Sequence, residues 1–154
     1  MNKIYLDNAS TTPIRPEVIQ EMTRVMQSEY GNPSSSHSFG RGAKAVLESA
    51  RKSIAKQLNC MAQEIIFTSS GTEANNWILQ NAVKKIGIKR IITSKMEHHA
   101  VVYPILALQK EFGIEVEFLK VLPNGQVDYL QLTALLDSHT PTLVSLMHVN
   151  NETG

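Results

Sequence analysis

A chain of 154 residues suits one ordinary domain, and its 42 % hydrophobic and 19 % charged residues lie in the range that builds a globular core. Lys+Arg number 15 against 14 Asp+Glu; the resulting charge of +1 supplies neither a basic field to capture nucleic acid nor a cationic face for a membrane. One cysteine, Cys60, excludes an internal disulfide. With no apolar leader in MNKIYLDNAS and no apolar run near the ~20 residues of a membrane helix, the expectation is a soluble, cytoplasmic protein.

Taken in chain order, the pattern alternates short β-rich runs with helical ones, which predicts an α/β fold. Ile4-Tyr5-Leu6 reads as a short extended segment. Pro16 opens a helix whose apolar residues, Val18, Ile19, Met22, Val25 and Met26, recur at helical spacing. Gly31-Asn32-Pro33 with three serines reads as a loop, and a second helix follows Gly42, with Ala43, Val46, Leu47, Ala50, Ile54 and Leu58 as its stripe. Glu64 to Thr68 reads as a strand, and a helix from about Thr72 stops at Gly87. Arg90 to Ser94 is the next strand. Val101 to Phe112 is helical, with Pro104 in its first turn. Glu115 to Val121 is a strand, Pro123-Asn124-Gly125 a turn, Tyr129 to Leu136 a short helix and Thr142 to Val149 the last strand. Ile91-Ile92 and Leu143-Val144 look apolar on both faces, as buried parallel strands do.

Open sheets of this kind take ligands at the carboxyl ends of their strands, where Ser69–Asn75, Lys95–His99 and Asn150–Gly154 form polar loops. Gly71-Thr72 begins a helix after a small-residue turn. Free amides and the helix dipole there could receive a phosphate, or Ser70 or Thr72 could merely cap the helix. His98 could stack on an aromatic ligand or shuttle protons, or the His98-His99 pair could be a surface cap. Their adjacency, with no third ligand near, speaks against a metal site. Asn150 and Asn151 could orient a polar ring substituent or form a plain turn. Cys60 reads as structural, since no helix start or basic cluster adjoins it.

Five sets of residues, in order along the chain, resemble the cysteine desulfurases, within the aminotransferase-like fold-type-I enzymes that use pyridoxal 5'-phosphate (PLP). They are Tyr5-Leu6-Asp7-Asn8 with Thr11-Thr12-Pro13, Gly31-Asn32-Pro33-Ser34-Ser35 with His37, Phe67-Thr68-Ser69 with Gly71-Thr72-Glu73-Ala74-Asn75, Glu97-His98, and Met147-His148-Val149-Asn150-Asn151-Glu152 with Gly154. The resemblance implies part of a fold-type-I large domain, a mainly parallel sheet flanked by helices, with residues 1–15 an N-terminal segment and 16–154 the start of that domain. It implies that Gly71 and Thr72 hold the PLP phosphate, that His98 stacks on the pyridine ring and helps move protons, and that Asn151 hydrogen-bonds the ring's phenolic oxygen or the substrate carboxylate.

It further implies a homodimer that takes sulfur from L-cysteine, leaving alanine and an enzyme persulfide, and passes it to an acceptor protein, as in iron–sulfur cluster biosynthesis. Ser70 and Ser10 stand where relatives often have Gly and Ala. Relatives run to more than twice this length. The Schiff-base lysine, the aspartate on the pyridine nitrogen and the persulfide cysteine have no counterparts here; neither Lys95 nor Cys60 matches them. The expectation is a truncated portion, inactive alone. A selenocysteine lyase, another class V aminotransferase-like enzyme, or a non-catalytic dimerising or partner-binding fragment are the alternatives.

Overall fold

The computed structural model describes residues 3–154. The chain divides into two compact units, Met1–Phe67 and Thr68–Gly154.

The first unit is built on two helices. Helix α1 (Pro16–Ser28) starts with Pro16 after an extended Arg15, where the missing N–H is no loss. It buries none of its residues, and Ile19, Met22 and Met26 stay exposed. Helix α2 (Ser38–Gln57) begins at Ser38 and runs through Gly42, upstream of the start expected after that glycine. The His37 ring Nδ1 accepts from the Gly40 amide and caps it. Gly40 is no helix breaker here. It is buried, and a Cβ on it would collide with the carbonyl oxygens of Asn32 and Ser35, so the preceding loop crosses close over the first turn. Beyond α2, Asn59 adopts a left-handed φ of 52°, and the Cys60 amide bonds back to the Ala55 carbonyl, a closed helix end.

The strand expected over Glu64–Thr68 is absent. A 3-10 turn, Ala62–Glu64, leads into an extended but unpaired run. The Ile65 carbonyl accepts from the Arg51 guanidinium, which also lies 4.8 Å from the centre of the Phe67 ring. The β-branched residues fit a sheet, but no neighbouring strand pairs with them among the described residues, and the side-chain cation takes the bond a ladder would have used. Ile4–Leu6 likewise joins no ladder.

The second unit is a three-stranded parallel sheet with helices. Helix α3 (Gly71–Asn81) continues as a π turn, Ala82–Ile86, and ends at Gly87, whose φ of 86° suits only glycine well. Strand β1 (Arg90–Ser94) is followed by helix α4 (His99–Phe112), strand β2 (Glu115–Leu119), helix α5 (Tyr129–Leu136) and strand β3 (Thr142–Val144). The sheet order is β2-β1-β3, with Arg90 opposite both Glu115 and Thr142. All five residues of β1 are buried. β3 stops at Val144, short of the expected Val149; one further amide, Ser145, reaches the Ile92 carbonyl. β2 ends at Leu119, and Val121 forms a single bridge with Val127. α4 starts two residues earlier than expected, so Pro104 lies inside the helix, past its first turn, and removes one backbone bond there.

The core joins Ile91 to Leu79 and Val83 and to Val101, Ile105 and Leu108 of α4 in one cluster, with α3 and α4 packed against each other. Arg90 is 5 % exposed, and its guanidinium donates to Thr142 Oγ1 (3.0 Å), the Leu135 carbonyl (2.6 Å) and Ser138 Oγ (2.7 Å). The Thr93 hydroxyl is buried without a partner among the described residues.

Two substitutions should move stability in opposite directions. Ile105→Ala empties a fully buried position and should cost about 2–5 kcal/mol in urea unfolding. Thr93→Val removes an unanswered hydroxyl at nearly constant shape and should stabilise by about 1 kcal/mol; a destabilised Thr93→Val variant would show that the hydroxyl has a partner.

Candidate functional site

Gly71, Thr72, His98 and Asn151 all fall in the unit Thr68–Gly154. The turn before α3 is organised by its own side chains. Ser70 is the N-cap, extended at φ −165°, and its hydroxyl accepts from the Glu73 amide at 3.2 Å. Glu73 turns back and accepts from both the amide and the hydroxyl of Ser69, each at 2.7 Å. The pair resembles a capping box moved one residue upstream, since such a glutamate ordinarily reaches the cap residue's own amide. Thr68 Oγ1 donates to the Ser70 carbonyl at 3.1 Å, and the Ala74 amide starts the helical ladder on the same oxygen.

Three amides are left over, those of Ser70, Gly71 and Thr72, the last two within the helix itself. The N–H groups of Gly71 and Thr72 have no acceptor among the described residues, and both residues are exposed. A Cβ on Gly71 would meet no atom of the other elements within 4 Å, so the side of the turn that this Cβ would occupy is open. The only carboxylate in the turn is engaged by Ser69. Those hydrogen bonds, first the Ser69 hydroxyl and then its amide, hold the Glu73 carboxyl below the usual glutamate range. Unpaired amides at the positive end of a helix dipole, in open space, have the donor geometry a phosphate requires.

His98 is the N-cap of α4. Its Nδ1 accepts from the Ala100 amide at 3.1 Å, which assigns the neutral ring's proton to Nε2. The ring is exposed and lies 3.8 Å, centre to centre, from His99, tilted by 35°. His99 in turn lies 5.9 Å from the Tyr103 ring. Asn151 is exposed in the turn that follows β3, its side chain unbonded among the described residues. Asn150 is half-buried and accepts from the Glu152 and Thr153 amides.

Two cavities mark where these elements converge. A space of ≈ 250 Å³ is lined by Asn75 and Leu79 of α3, Val101 of α4, and Val144, Ser145 and Leu146 at the exit of β3. This space borders α3, α4 and the end of β3, and none of Gly71, Thr72, His98 and Asn151 lines it. A larger cavity of ≈ 410 Å³ lies beyond the carboxyl ends of the strands, lined by Ser94, Glu97, Gln126, Tyr129, Met147 and His148 among others. Glu97 and Asn150 both line it; sequence reasoning gave Glu97 no role and offered Asn150 only as a ring-orienting donor or a turn residue, and the signal for Glu97 was its position directly before His98. Cys60 is half-buried in the turn after α2, and Lys95 is exposed. Among the described residues no cluster of His, Cys, Asp or Glu is arranged to hold a metal, and no helix is long and apolar enough to cross a membrane.

The family model described as aminotransferase class-V matches residues 4–154. Cysteine desulfurase IscS of Dictyoglomus turgidum is 45% identical over 154 residues, covering 99% of this chain and 39% of that protein. Selenocysteine lyase of Bos taurus is 38% identical over 172 residues, again 99% of this chain and 39% of the other. A solved structure described as a NifS-like protein superposes with a TM-score of 0.87 at 37% identity, over 96% of this chain and 40% of that one. The chain thus spans about two fifths of the length of the relatives it matches.

The hydrogen-bonded Glu73 carboxylate predicts a pH response. Its lowered pKa means the Ser69–Glu73 bonds contribute fully above the ordinary glutamate range and are lost as pH falls through the depressed value. The Ser69 amide resonance should titrate below an unperturbed glutamate, and Glu73→Gln should abolish that titration; a midpoint at or above the ordinary range would contradict the arrangement.

Proposed function

The chain belongs to the aminotransferase class-V family and has the α/β architecture of the fold-type-I PLP-dependent large domain; from that premise we propose that it is the cofactor-binding front of a PLP-dependent cysteine desulfurase. The observation that carries the reading is the pair of unanswered amides at Gly71 and Thr72, in open space with the neighbouring carboxylate drawn away to Ser69. The 45% identity to a cysteine desulfurase supports the substrate, L-cysteine.

In this reading the Gly71 and Thr72 amides bind the cofactor phosphate, with the Thr72 hydroxyl as a further donor. His98 covers the pyridine ring with the face not occupied by His99 and presents Nε2–H; moving a proton at Nδ1 requires release of the Ala100 amide. Asn151 offers a neutral carboxamide to the ring oxygen or the substrate carboxylate. Bound PLP supplies an electron sink, and the protein supplies orientation and electrostatics. The amine that anchors the cofactor and the thiol that takes the sulfur are not at Lys95 or Cys60, so the 154 residues alone are inactive. The whole enzyme is a cytoplasmic homodimer that hands sulfur to an acceptor protein. Selenocysteine lyase is the second reading, favoured by the 38% identity to the Bos taurus protein.

Gly71→Pro is a selective test. Proline at the first helical position removes one N–H without breaking the helix, and the extended Ser70 before it already has a compatible backbone. With Gly71→Ala as the control that keeps the amide, titration with PLP should weaken roughly tenfold or more in the proline variant. Equal affinities, or no response of the Gly71 and Thr72 amide resonances to PLP, would sink the assignment. Incubated with PLP and L-cysteine, the 154-residue chain should release no sulfide; sulfide would overturn its inactivity.

A further inference from the structure

The polar loops after β1 and β3 are tied by two hydrogen bonds, both donated by the β3 loop, in which each loop contributes one side chain and one backbone group. The Met147 amide, from the β3 loop, donates to Glu97 Oε1 at 2.7 Å. The Asn150 side-chain amide, also from the β3 loop, donates to the Met96 carbonyl at 3.1 Å. Seen from the side chains, a carboxylate of the first loop grips the backbone of the second, and a carboxamide of the second grips the backbone of the first. The four residues are partly buried and line the ≈ 410 Å³ cavity. Asn150 is used at both ends, since its Oδ1 also takes the Glu152 and Thr153 amides at 2.8 and 3.1 Å. A residue needed only for a turn would have no reason to reach across to Met96.

Glu97 directly precedes His98, and Asn150 directly precedes Asn151. Fixing the two gripping residues therefore fixes the backbone from which the next side chains project. We propose that Glu97 and Asn150 are positioning residues, a reciprocal clasp that holds the two loops in one register and thereby sets where His98 and Asn151 stand. The clasp rests on hydrogen-bond geometry; its use in aiming cofactor-contacting groups rests on the function proposed above.

The decisive feature is action across the loops. In the isotopically labelled 154-residue chain, Glu97→Ala should raise exchange of the Met147 amide by roughly tenfold or more, the scale of one bond to a charged group. It should also broaden or shift the Asn151 side-chain resonances, although Asn151 lies beyond the other strand. Glu97→Gln keeps an acceptor and should restore both signals to within about twofold of the parent. Should Glu97→Ala fold poorly, Asn150→Asp reads the reciprocal effect, removing the donor to Met96 and perturbing the His98 ring signals. An Asn151 signal indifferent to Glu97→Ala, a Glu97→Gln variant no better than the alanine variant, or a His98 ring indifferent to Asn150→Asp would each overturn the clasp. A parent chain whose Gly71 and Thr72 amides ignore PLP would instead sink the cofactor reading, and these loop measurements would still decide the clasp.

Discussion

β1 is hydrogen-bonded along both edges, to β2 and to β3, and every one of its residues is buried. Such a strand cannot slide by one residue without driving Ile91 and Thr93 to the opposite face and stripping the core of its central side chain. Its register fixes where Ser94 stops and where the loop to His98 begins. The parallel pairing likewise fixes β3, whose last ladder contact, from Ser145 to Ile92, releases the loop toward Asn151. The position of the candidate site follows from this one immobile strand.

The start of α3 answers a different demand. A helix must leave its first amides unpaired unless side chains or ligands answer them. Here Ser70 and Glu73 satisfy only the amides of Glu73 and Ser69, and those between them stay open, Gly71 and Thr72 in the first helical turn among them. A carboxylate facing those two amides would repel an anion. Drawn back to Ser69, it tightens the turn and keeps its charge out of the open space.

Much of this could be read from the residues. Strands at Arg90–Ser94 and from Glu115 could be read in the residues, the parallel pairing showed in the apolar Ile91-Ile92, the stop at Gly87 in its freedom to take positive φ, and the open turn at Gly71 in its small side chains. Glu64–Thr68 misled because β-branched residues report only suitability for a sheet, whereas a strand also requires an edge to join. The start of α2 was hidden because Gly42 suggested a break, when the helix runs through it from Ser38 and through Gly40, which serves a close crossing of the backbone. The bonds of Glu97 and Asn150 across the two loops stayed silent because a contact between residues 50 or more positions apart leaves no local periodicity.

The Arg90 guanidinium ties residues 45 to 52 positions downstream, and every group it holds is neutral. One is the Leu135 carbonyl, near the electronegative end of α5. With β3 and α5 in place the cation is withdrawn from water and answered. Removing any one of these partners would leave part of a buried charge unanswered, so the guanidinium fastens the end of α5 and the start of β3 to the same point of β1.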